Sequence, residues 1–132
     1  MPDPVSRLVE AIECRDTDAM RAVYEPGARL ITMTPNTFLV AEGPDAIVER
    51  LADWFISWEE DPSFSYLGTI RQGERVAVEF ERTSVYEGEP WVVRQAHMLH
   101  VADGGIREHR IYCCGPRKGS PDLAGLYQGS PS

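Results

Sequence analysis

Histidine and cysteine side chains are concentrated in one segment of this chain, from Trp91 to Cys114. The segment reads WVVRQAHMLHVADGGIREHRIYCC, contains all three histidines of the sequence (His97, His100 and His109) and ends on two adjacent cysteines. Histidine is the side chain that most readily exchanges a proton near neutral pH. The turn sequence Asp103-Gly104-Gly105 divides the segment into two strands. We therefore expect any acid–base chemistry to be carried by this β-hairpin.

Length and composition indicate one acidic domain. A chain of 132 residues is long enough to bury a core of its own. Acidic residues outnumber basic ones by 21 to 13, giving a formal charge of −8, and no basic run suits a phosphate backbone, so we expect no nucleic-acid partner. No window approaches the length of a membrane span and no signal segment is recognisable, which predicts a cytoplasmic protein without a membrane partner. Three cysteines without CxxC spacing predict reduced thiols.

The first half of the chain has helical patterns and the second half has strand patterns, which predicts an α+β fold. Asp3-Pro4 begins an amphipathic helix, and Asp16 begins a shorter helix that Pro26-Gly27 ends. A short hairpin turns at Pro35-Asn36, and the longest helix runs from Gly43-Pro44 to Asp61-Pro62. The predicted strands of the second half are Phe64 to Arg71, Arg75 to Tyr86, Trp91 to Val101 and Ile106 to Cys113.

These elements form a single domain over residues 1–114. The remaining residues, 115–132, are dominated by Gly, Pro and Ser, which predicts a C-terminal tail. The stranded meander could curl around the long helix and enclose a pocket.

Strand parity predicts which side chains face that interior. In the strand from Arg75 to Tyr86, alternate residues form two sets that face opposite sides of the sheet. The less acidic set contains Arg82, Ser84 and Tyr86, and we place it inward. In the next strand the more apolar set contains Gln95 and His97, whereas His100 belongs to the opposite set. His97 is therefore expected inside and His100 on the surface.

The register of the last hairpin decides the rest of the site. A three-residue loop over Asp103 to Gly105 pairs Leu99 with His109 and Gln95 with Cys113, so His109 and Cys113 face inward. A two-residue loop would shift the register by one residue and turn both outward, replacing them with Arg110, Tyr112 and Cys114. Both alternatives are compatible with the sequence.

In the first register His97 and His109 lie diagonally across the hairpin, roughly 7 Å apart by backbone. One imidazole could abstract a proton next to a carbonyl group, while the other, Arg82 or Tyr86 donates a hydrogen bond to the enolate. Alternatively, both histidines are buried polar residues satisfied by their neighbours, and Arg82 pairs with a glutamate. Cys113 could be a nucleophile beside His97 or simply a small buried residue.

The spacing excludes a metal site on one strand, because His97 and His100 point to opposite faces. We expect neither a metal nor a cofactor. The candidate catalytic residues are His97, His109, Arg82 and Tyr86. The residues expected to bind the ligand are Tyr24, Trp54, Ser84, Gln95, Ile111 and Cys113.

The element order resembles the SnoaL-like branch of the NTF2-like superfamily, which includes polyketide cyclases, ketosteroid isomerases, limonene epoxide hydrolases and scytalone dehydratase. The local features that carry the resemblance are Gly43-Pro44-Asp45-Ala46-Ile47, Asp103-Gly104-Gly105-Ile106 and Glu108-His109-Arg110-Ile111-Tyr112. The resemblance covers Val5 to Cys114. It implies a cone in which a curled mixed or antiparallel sheet wraps around a long helix with two N-terminal helices, a one-ended pocket for a small hydrophobic molecule, and a homodimer packed through the outer face of the sheet.

The chain lacks the acidic residues that the known branches of the family use in catalysis. Where the epoxide hydrolases place aspartates, it has Ser84 and Ile111, and Ile111 also stands where polyketide cyclases use an acid. Ketosteroid isomerases carry their aspartate base near the first hairpin, where this chain has Met33, Thr34 and Pro35. Scytalone dehydratase-like chemistry, which uses histidine and tyrosine, is the closest match to His97, His109 and Tyr86.

Three functions are compatible with these observations. The first is a cofactor-independent lyase, isomerase or cyclase that acts on a hydrophobic, carbonyl-bearing substrate by histidine acid–base catalysis. The second is a non-catalytic ligand-binding protein that has lost the catalytic acids of the family, and the third is a scaffold module. An open cavity on which His97 and His109 converge favours catalysis, and a dry apolar cavity favours binding. A filled interior, with Arg82 closed onto Glu79 or Glu81 and no cavity reaching His97, favours the scaffold.

Overall fold

The computed structural model describes residues 3–55, 63–103, 105–115 and 117–118. It confirms an α+β fold with a curled mixed sheet. The elements are α1 (Pro4–Cys14), α2 (Thr17–Ala22), β1 (Tyr24–Thr34), β2 (Thr37–Glu42), α3 (Pro44–Phe55), β3 (Ser63–Gln72), β4 (Arg75–Tyr86), β5 (Glu89–Ala102), β6 (Gly105–Cys113) and β7 (Arg117–Lys118).

The sheet has the strand order β2-β1-β6-β5-β4-β3. Neighbouring strands are antiparallel except β1 and β6, which run parallel, and β7 pairs with the start of β5. The parallel pair brings the first strand of the chain against the last long one. It therefore places β1 beside the histidine-bearing hairpin, a neighbour that sequence periodicity did not identify.

Both N-terminal helices begin as their capping residues predict. Asp3 accepts a hydrogen bond from the backbone N–H of Ser6 at 2.9 Å, with Pro4 in the first turn of α1. Asp16 accepts one from the backbone N–H of Ala19 at 3.0 Å. However, α2 ends at Ala22 rather than at Pro26, and β1 begins at Tyr24. A register shift between Tyr24 and Arg29 lets Pro26 lie within the strand.

The core lies between the concave face of the sheet and the helices. Its apolar side chains come from one stripe of each long helix and from alternating strand positions, as parity predicts. The completely buried members include Ile12, Met20, Leu30, Ile47, Leu51, Phe55, Ile106 and Ile111. The predicted stripe of the long helix is thus confirmed as far as Phe55, while Trp58 lies outside the described residues.

The β5–β6 hairpin has the register that faces His109 inward. Leu99 pairs with His109, His97 with Ile111 and Gln95 with Cys113. The loop is nevertheless two residues long, because Ala102 pairs with Gly105. A register shift between His100 and Val101 leaves Arg107 as an extra residue in β6 and compensates for the shorter loop. The predicted loop length was wrong, and this bulge is why the predicted register holds.

Gly105 allows β6 to approach the end of α2. A Cβ atom at this position would lie 2.5 Å from the carbonyl oxygen of Val23, and the φ angle of +137° also disfavours a side chain. The next residue, Ile106, donates its N–H to that same oxygen at 2.8 Å. This close approach holds β6 against Tyr24, whose strand partner is Ile106.

Candidate functional site

Five polar side chains form a continuous hydrogen-bonded line across the concave face of the sheet. The Tyr24 hydroxyl lies 2.8 Å from Nδ1 of His109, and Nε2 of His109 lies 2.8 Å from Nδ1 of His97. Nε2 of His97 lies 3.0 Å from Oε1 of Gln95, whose amide nitrogen donates to Sγ of Cys113 at 3.7 Å. We call this arrangement the polar line, from Tyr24 to Cys113.

The strands place these residues together for simple reasons. His97 and Gln95 are two residues apart on β5, so they share a face, and His109 and Cys113 occupy the same face of β6. His109 also pairs with Leu30 of β1. The parallel pairing of β1 with β6 therefore places Tyr24 next to His109, on the side of the ring away from His97. The diagonal relationship of His97 and His109 predicted from the sequence is thus observed, with their ring centroids 4.9 Å apart.

Apolar rings surround the middle of the polar line. Phe80 contacts the His97 ring edge-on at 4.9 Å between centroids, and Phe55 is roughly parallel to it at 6.1 Å. His97 is 1% exposed and His109 0% exposed. Neither phenylalanine was predicted to contact the site, although their positions on the predicted apolar faces of α3 and β4 are consistent with that contact.

Burial sets the protonation state of the two histidines. Desolvation, with a contribution from the neighbouring His109, lowers the pKa of His97 well below its usual value. Desolvation alone lowers the pKa of His109 to about 3. Burial also raises the pKa of the Tyr24 phenol far above its usual value. All three groups are therefore neutral at physiological pH.

The polar line has a direction. If Tyr24 donates to His109, each neutral imidazole carries its proton on Nε2, His109 donates to His97, and His97 donates to the oxygen of Gln95. In the reverse direction the Tyr24 hydroxyl would accept from His109 and would need another acceptor, and none lies among the described residues. An unsatisfied buried donor costs about 1–3 kcal/mol. We therefore assign the direction from Tyr24 to Cys113.

The Cys113 end of the line is its accessible end. Cys113 is partly exposed, whereas Tyr24, His109, His97 and Gln95 are each at most 5% exposed. Gln95 and Cys113 also border an open cavity of about 510 Å³. Neither His97 nor His109 lines that cavity or any of three further cavities along the described residues.

Arg82 adds a positive charge near this end. Its guanidinium donates from Nη1 to the backbone carbonyl of Trp54 at 2.8 Å. Burial lowers the Arg82 pKa, an effect that interaction with Cys113 partly opposes. Glu81, on the other face of β4, pairs instead with Arg94, whose Nη2 lies 2.8 Å from the carboxylate. No ion pair joins Arg82 to Glu79 or Glu81 among the described residues, which is one of the two features expected of a scaffold. The other feature is met, because His97 lines none of the four cavities mentioned above.

The predicted site residues fall into those at the polar line, those that contribute only to its surroundings, and those whose side chains the structure does not describe. The polar line unites Tyr24, His109, His97, Gln95 and Cys113, and Arg82 lies near its accessible end. Ile111 is completely buried opposite His97, and Trp54 contributes a backbone carbonyl while its side chain is half-buried. The side chains of Ser84 and Tyr86 lie outside the described part of the structure. As predicted, His100 faces the other side of the sheet, where it is 3.5 Å from Glu74.

Comparison with known proteins identifies the family. The model of the SnoaL-like domain matches residues 5–109. This chain belongs to the SnoaL-like domain family. None of the curated proteins compared with it matches.

Solved structures resemble this chain in fold at low sequence identity. A protein named as a polyketide cyclase from Sinorhizobium meliloti is 22% identical, with a TM-score of 0.64 over 84% of this chain and 94% of that one. A protein with a ketosteroid isomerase-like fold from Catenulispora acidiphila, in complex with trimethylamine, is 17% identical, with a TM-score of 0.66 over 85% of each chain. TerC, co-crystallised with polyporic acid, is 17% identical, with a TM-score of 0.68 over 82% of this chain and 86% of that one.

Two features are absent from the described residues of this SnoaL-like domain. No helix in that part of the chain is long and apolar enough to cross a bilayer. The same residues contain no group of three or more His, Cys, Asp or Glu side chains arranged to hold a metal ion.

Proposed function

We propose that this SnoaL-like protein is a cofactor-independent lyase, isomerase or cyclase acting on a small, hydrophobic, carbonyl-bearing molecule. The observation that carries the proposal is the buried pair of neutral, mutually hydrogen-bonded histidines in the polar line. A connected polar network inside an apolar core is costly unless every member is satisfied. Such a network can orient a donor toward a substrate oxygen.

The proposed role of the histidines differs from the general base considered from the sequence. An imidazole whose pKa lies well below neutrality is a weak base, since catalytic bases work best with a pKa near the operating pH. A neutral imidazole is nevertheless a good hydrogen-bond donor to a developing oxyanion. In this proposal the substrate carbonyl replaces Oε1 of Gln95 at Nε2–H of His97, and Arg82 supplies a positive charge nearby.

The alternative is a non-catalytic ligand-binding protein, and one observation favours it. All four ring nitrogens of His97 and His109 are already hydrogen-bonded within the polar line, so substrate access to His97 requires the Gln95 side chain to move. Without that movement, a ligand in the cavity would reach Gln95 and Cys113 but neither His97 nor His109. Two proteins of similar fold have been crystallised with trimethylamine and with polyporic acid, respectively. This supports small-molecule binding here, whether or not the protein is catalytic.

The test is a panel of polyketide-like and steroid-like ketones and hydroxyketones, assayed for binding by calorimetry and for turnover by mass spectrometry. We expect turnover that falls at least about tenfold in His97→Leu and is unchanged in His100→Leu, the matched control on the other sheet face. Binding without turnover would support the ligand-binding alternative. Turnover that is equal in both variants would remove His97 from the mechanism.

We also propose that the protein forms a homodimer through the outer face of the sheet. One row of side chains on this face crosses six strands and contains a single charged residue, and its members are Val40, Ile31, Arg110, Met98, Ala77 and Ile70. Ile70 is 76% exposed and Val40 49% exposed, and apolar patches of this kind usually mark interfaces.

The cytoplasmic location expected from the sequence stays a prediction.

A further inference from the structure

We infer that the outer face of the sheet carries a second small-molecule site, which binds a zwitterion, namely an α-amino acid with an apolar side chain. This outer-face site is formed by Glu79, Arg94, Ala96 and Tyr112. It is separate from the polar line and does not depend on the proposed function. It offers a ligand one positive group, one negative group and an apolar floor.

The strand register places these four residues on one face of the sheet. Glu79 pairs with Ala96, and Ala96 pairs with Tyr112. Cross-strand partners share a face, and Ala96 follows Gln95, whose side chain belongs to the concave face. Arg94 is two residues from Ala96, so it lies on the outer face as well. The cavity of about 510 Å³ that borders Gln95 therefore also extends over the outer face.

The depression above Ala96 arises from a difference in side-chain length. Ala96 has only a methyl group, whereas its cross-strand partners Glu79 and Tyr112 and its neighbour Arg94 have long side chains. Met33, the strand partner of Tyr112, extends the apolar part of the lining. Tyr112 is 42% exposed and Ala96 is also exposed, so the depression is open to a ligand.

Arg94 is held from one side by Glu81. Its Nε and Nη2 atoms lie 2.9 and 2.8 Å from Oε2 of Glu81. Its backbone N–H donates to Sγ of Cys114 at 3.4 Å, and its carbonyl oxygen accepts from the N–H of Cys114 at 3.2 Å. The contact with Glu81 uses one edge of the planar guanidinium, and Arg94 forms no other ion pair among the described residues. Nη1 is therefore left to donate to the carboxylate of a ligand.

The burial of Glu81 supports a positioning role for this residue. Glu81 is 8% exposed, whereas carboxylates are rarely buried to this extent. A buried ion pair adds little to stability, because the cost of desolvation offsets the attraction between the charges. The pair does supply a fixed orientation for the Arg94 guanidinium. Such preorganisation favours the binding of a planar carboxylate.

Glu79 supplies the opposite charge. Its side chain is exposed and forms no ion pair within the part of the chain that the structure describes. Because Arg94 pairs with Glu81, it is diagonal to Glu79 across β4 and β5, a relationship that separates residues by roughly 7–8 Å. The ammonium and carboxylate groups of an α-amino acid are joined through one carbon atom, so the molecule can bridge the two side chains. A simple carboxylate would be repelled by Glu79, and a simple amine by Arg94.

Three probes with the same phenyl ring test the ligand class. L-phenylalanine has both charged groups, 3-phenylpropanoate has only the carboxylate, and 2-phenylethylamine has only the ammonium. In a proton–nitrogen NMR titration we expect L-phenylalanine to bind at least about tenfold more tightly than either, with amide shifts at Ala96 and Tyr112. The ring signals of His97 and His109 should not move. The formal charge of −8 attracts the amine, so a preference for L-phenylalanine over the amine cannot come from net charge.

Variants assign each charged group to its role. Glu79→Gln should remove the preference for L-phenylalanine over 3-phenylpropanoate, while Glu49→Gln, the same change at an exposed position of α3, should keep it. Glu81→Gln weakens the hold on Arg94 and should reduce only the preference over 2-phenylethylamine, a split that a merely structural role would not produce. Ala96→Leu fills the depression and should lower the affinity for L-phenylalanine at least about tenfold.

Several outcomes would overturn the proposal. Equal binding of the three probes, or tighter binding of the amine, would remove the two-charge recognition. The absence of saturable shifts up to about 10 mM L-phenylalanine would remove the site itself. Shifts of the His97 ring would assign the binding to the polar line instead. An affinity that falls as the protein concentration rises would show that a second copy of the chain occupies the outer-face site.

Discussion

Nδ1 of His97 and Nε2 of His109 lie 2.8 Å apart in a part of the core that is essentially closed to solvent. Two imidazoles in such a contact share one proton, so at most one of the two facing nitrogens can carry it. The pair is therefore a neutral, directional link between Tyr24 and Gln95 rather than two independent acid–base groups.

Replacing His97 by leucine should destabilise the protein. The substitution leaves the Nε2–H of His109 and Oε1 of Gln95 without their buried partner, and we expect the free energy of unfolding to fall by about 1–3 kcal/mol. His100→Leu on the outer face should change it by no more than about 0.5 kcal/mol. Urea unfolding of both variants measures the difference. Equal effects would mean that the polar line contributes no stability.

Stability should decline as the pH falls below about 6.5. The folded-state pKa of His97 is well below its usual value and that of His109 is about 3, whereas both titrate near 6.5 in the unfolded chain. Between these values the unfolded state binds more protons, so the free energy of unfolding decreases with falling pH. Each histidine contributes a slope of up to about 1.4 kcal/mol per pH unit.

This pH dependence can be measured by urea unfolding between about pH 7.5 and about pH 5, where carboxylates change little. The His97→Leu variant should show a shallower decline than wild type. A wild-type stability that is constant or rises over this range would contradict the neutral, buried state of the pair.

Changing Gln95 to glutamate should raise the pKa of His97. A carboxylate at this position accepts from Nε2–H of His97 and stabilises the imidazolium form, which burial otherwise disfavours. The direction of the polar line is kept, because the carboxylate is an acceptor only. An NMR titration of the ring protons should show His97 protonating at higher pH than in wild type. No change would indicate that the introduced carboxyl group does not reach His97.

Gly105 is predicted to be intolerant of a side chain. A Cβ atom would lie 2.5 Å from the Val23 carbonyl oxygen, so Gly105→Ala must displace β6 from the end of α2. We expect a loss of about 1–3 kcal/mol in the free energy of unfolding. Gly27→Ala is the matched control, because nothing lies within 4 Å of its Cβ position. Thermal and urea unfolding that rank the two variants equally would contradict this packing.

The proposed homodimer predicts a concentration-dependent mass in sedimentation experiments. Met98→Asp introduces a charge into the middle of the apolar row on the outer face and should shift the equilibrium toward monomer. Ser6→Asp adds the same charge to an exposed position of α1 and should leave association unchanged. A wild-type protein that is monomeric at all accessible concentrations would contradict the proposal.

Much of the fold follows from patterns that are visible in the sequence. Apolar periodicity located the helices, caps located their first residues, and turn residues separated β3, β4, β5 and β6. Parity then placed His97 inside and His100 outside, because a period of two leaves no other choice once one face is buried. These properties depend on neighbours along the chain, which the sequence shows directly.

The arrangement of those residues into a site depends on contacts between distant segments. The register of His109 depends on the Arg107 bulge, which compensates for a β5–β6 loop that is one residue shorter than predicted. Such a bulge leaves no clear signal in the hydrophobic pattern of the sequence. Tyr24 reaches His109 because β1 pairs in parallel with β6 across more than eighty residues of chain. The neutral state of both histidines follows from the rings and aliphatic groups packed around them, which come from separate elements. Sequence periodicity fixes the face on which a side chain lies, but hydrogen-bond partners and desolvation arise only when distant segments pack together.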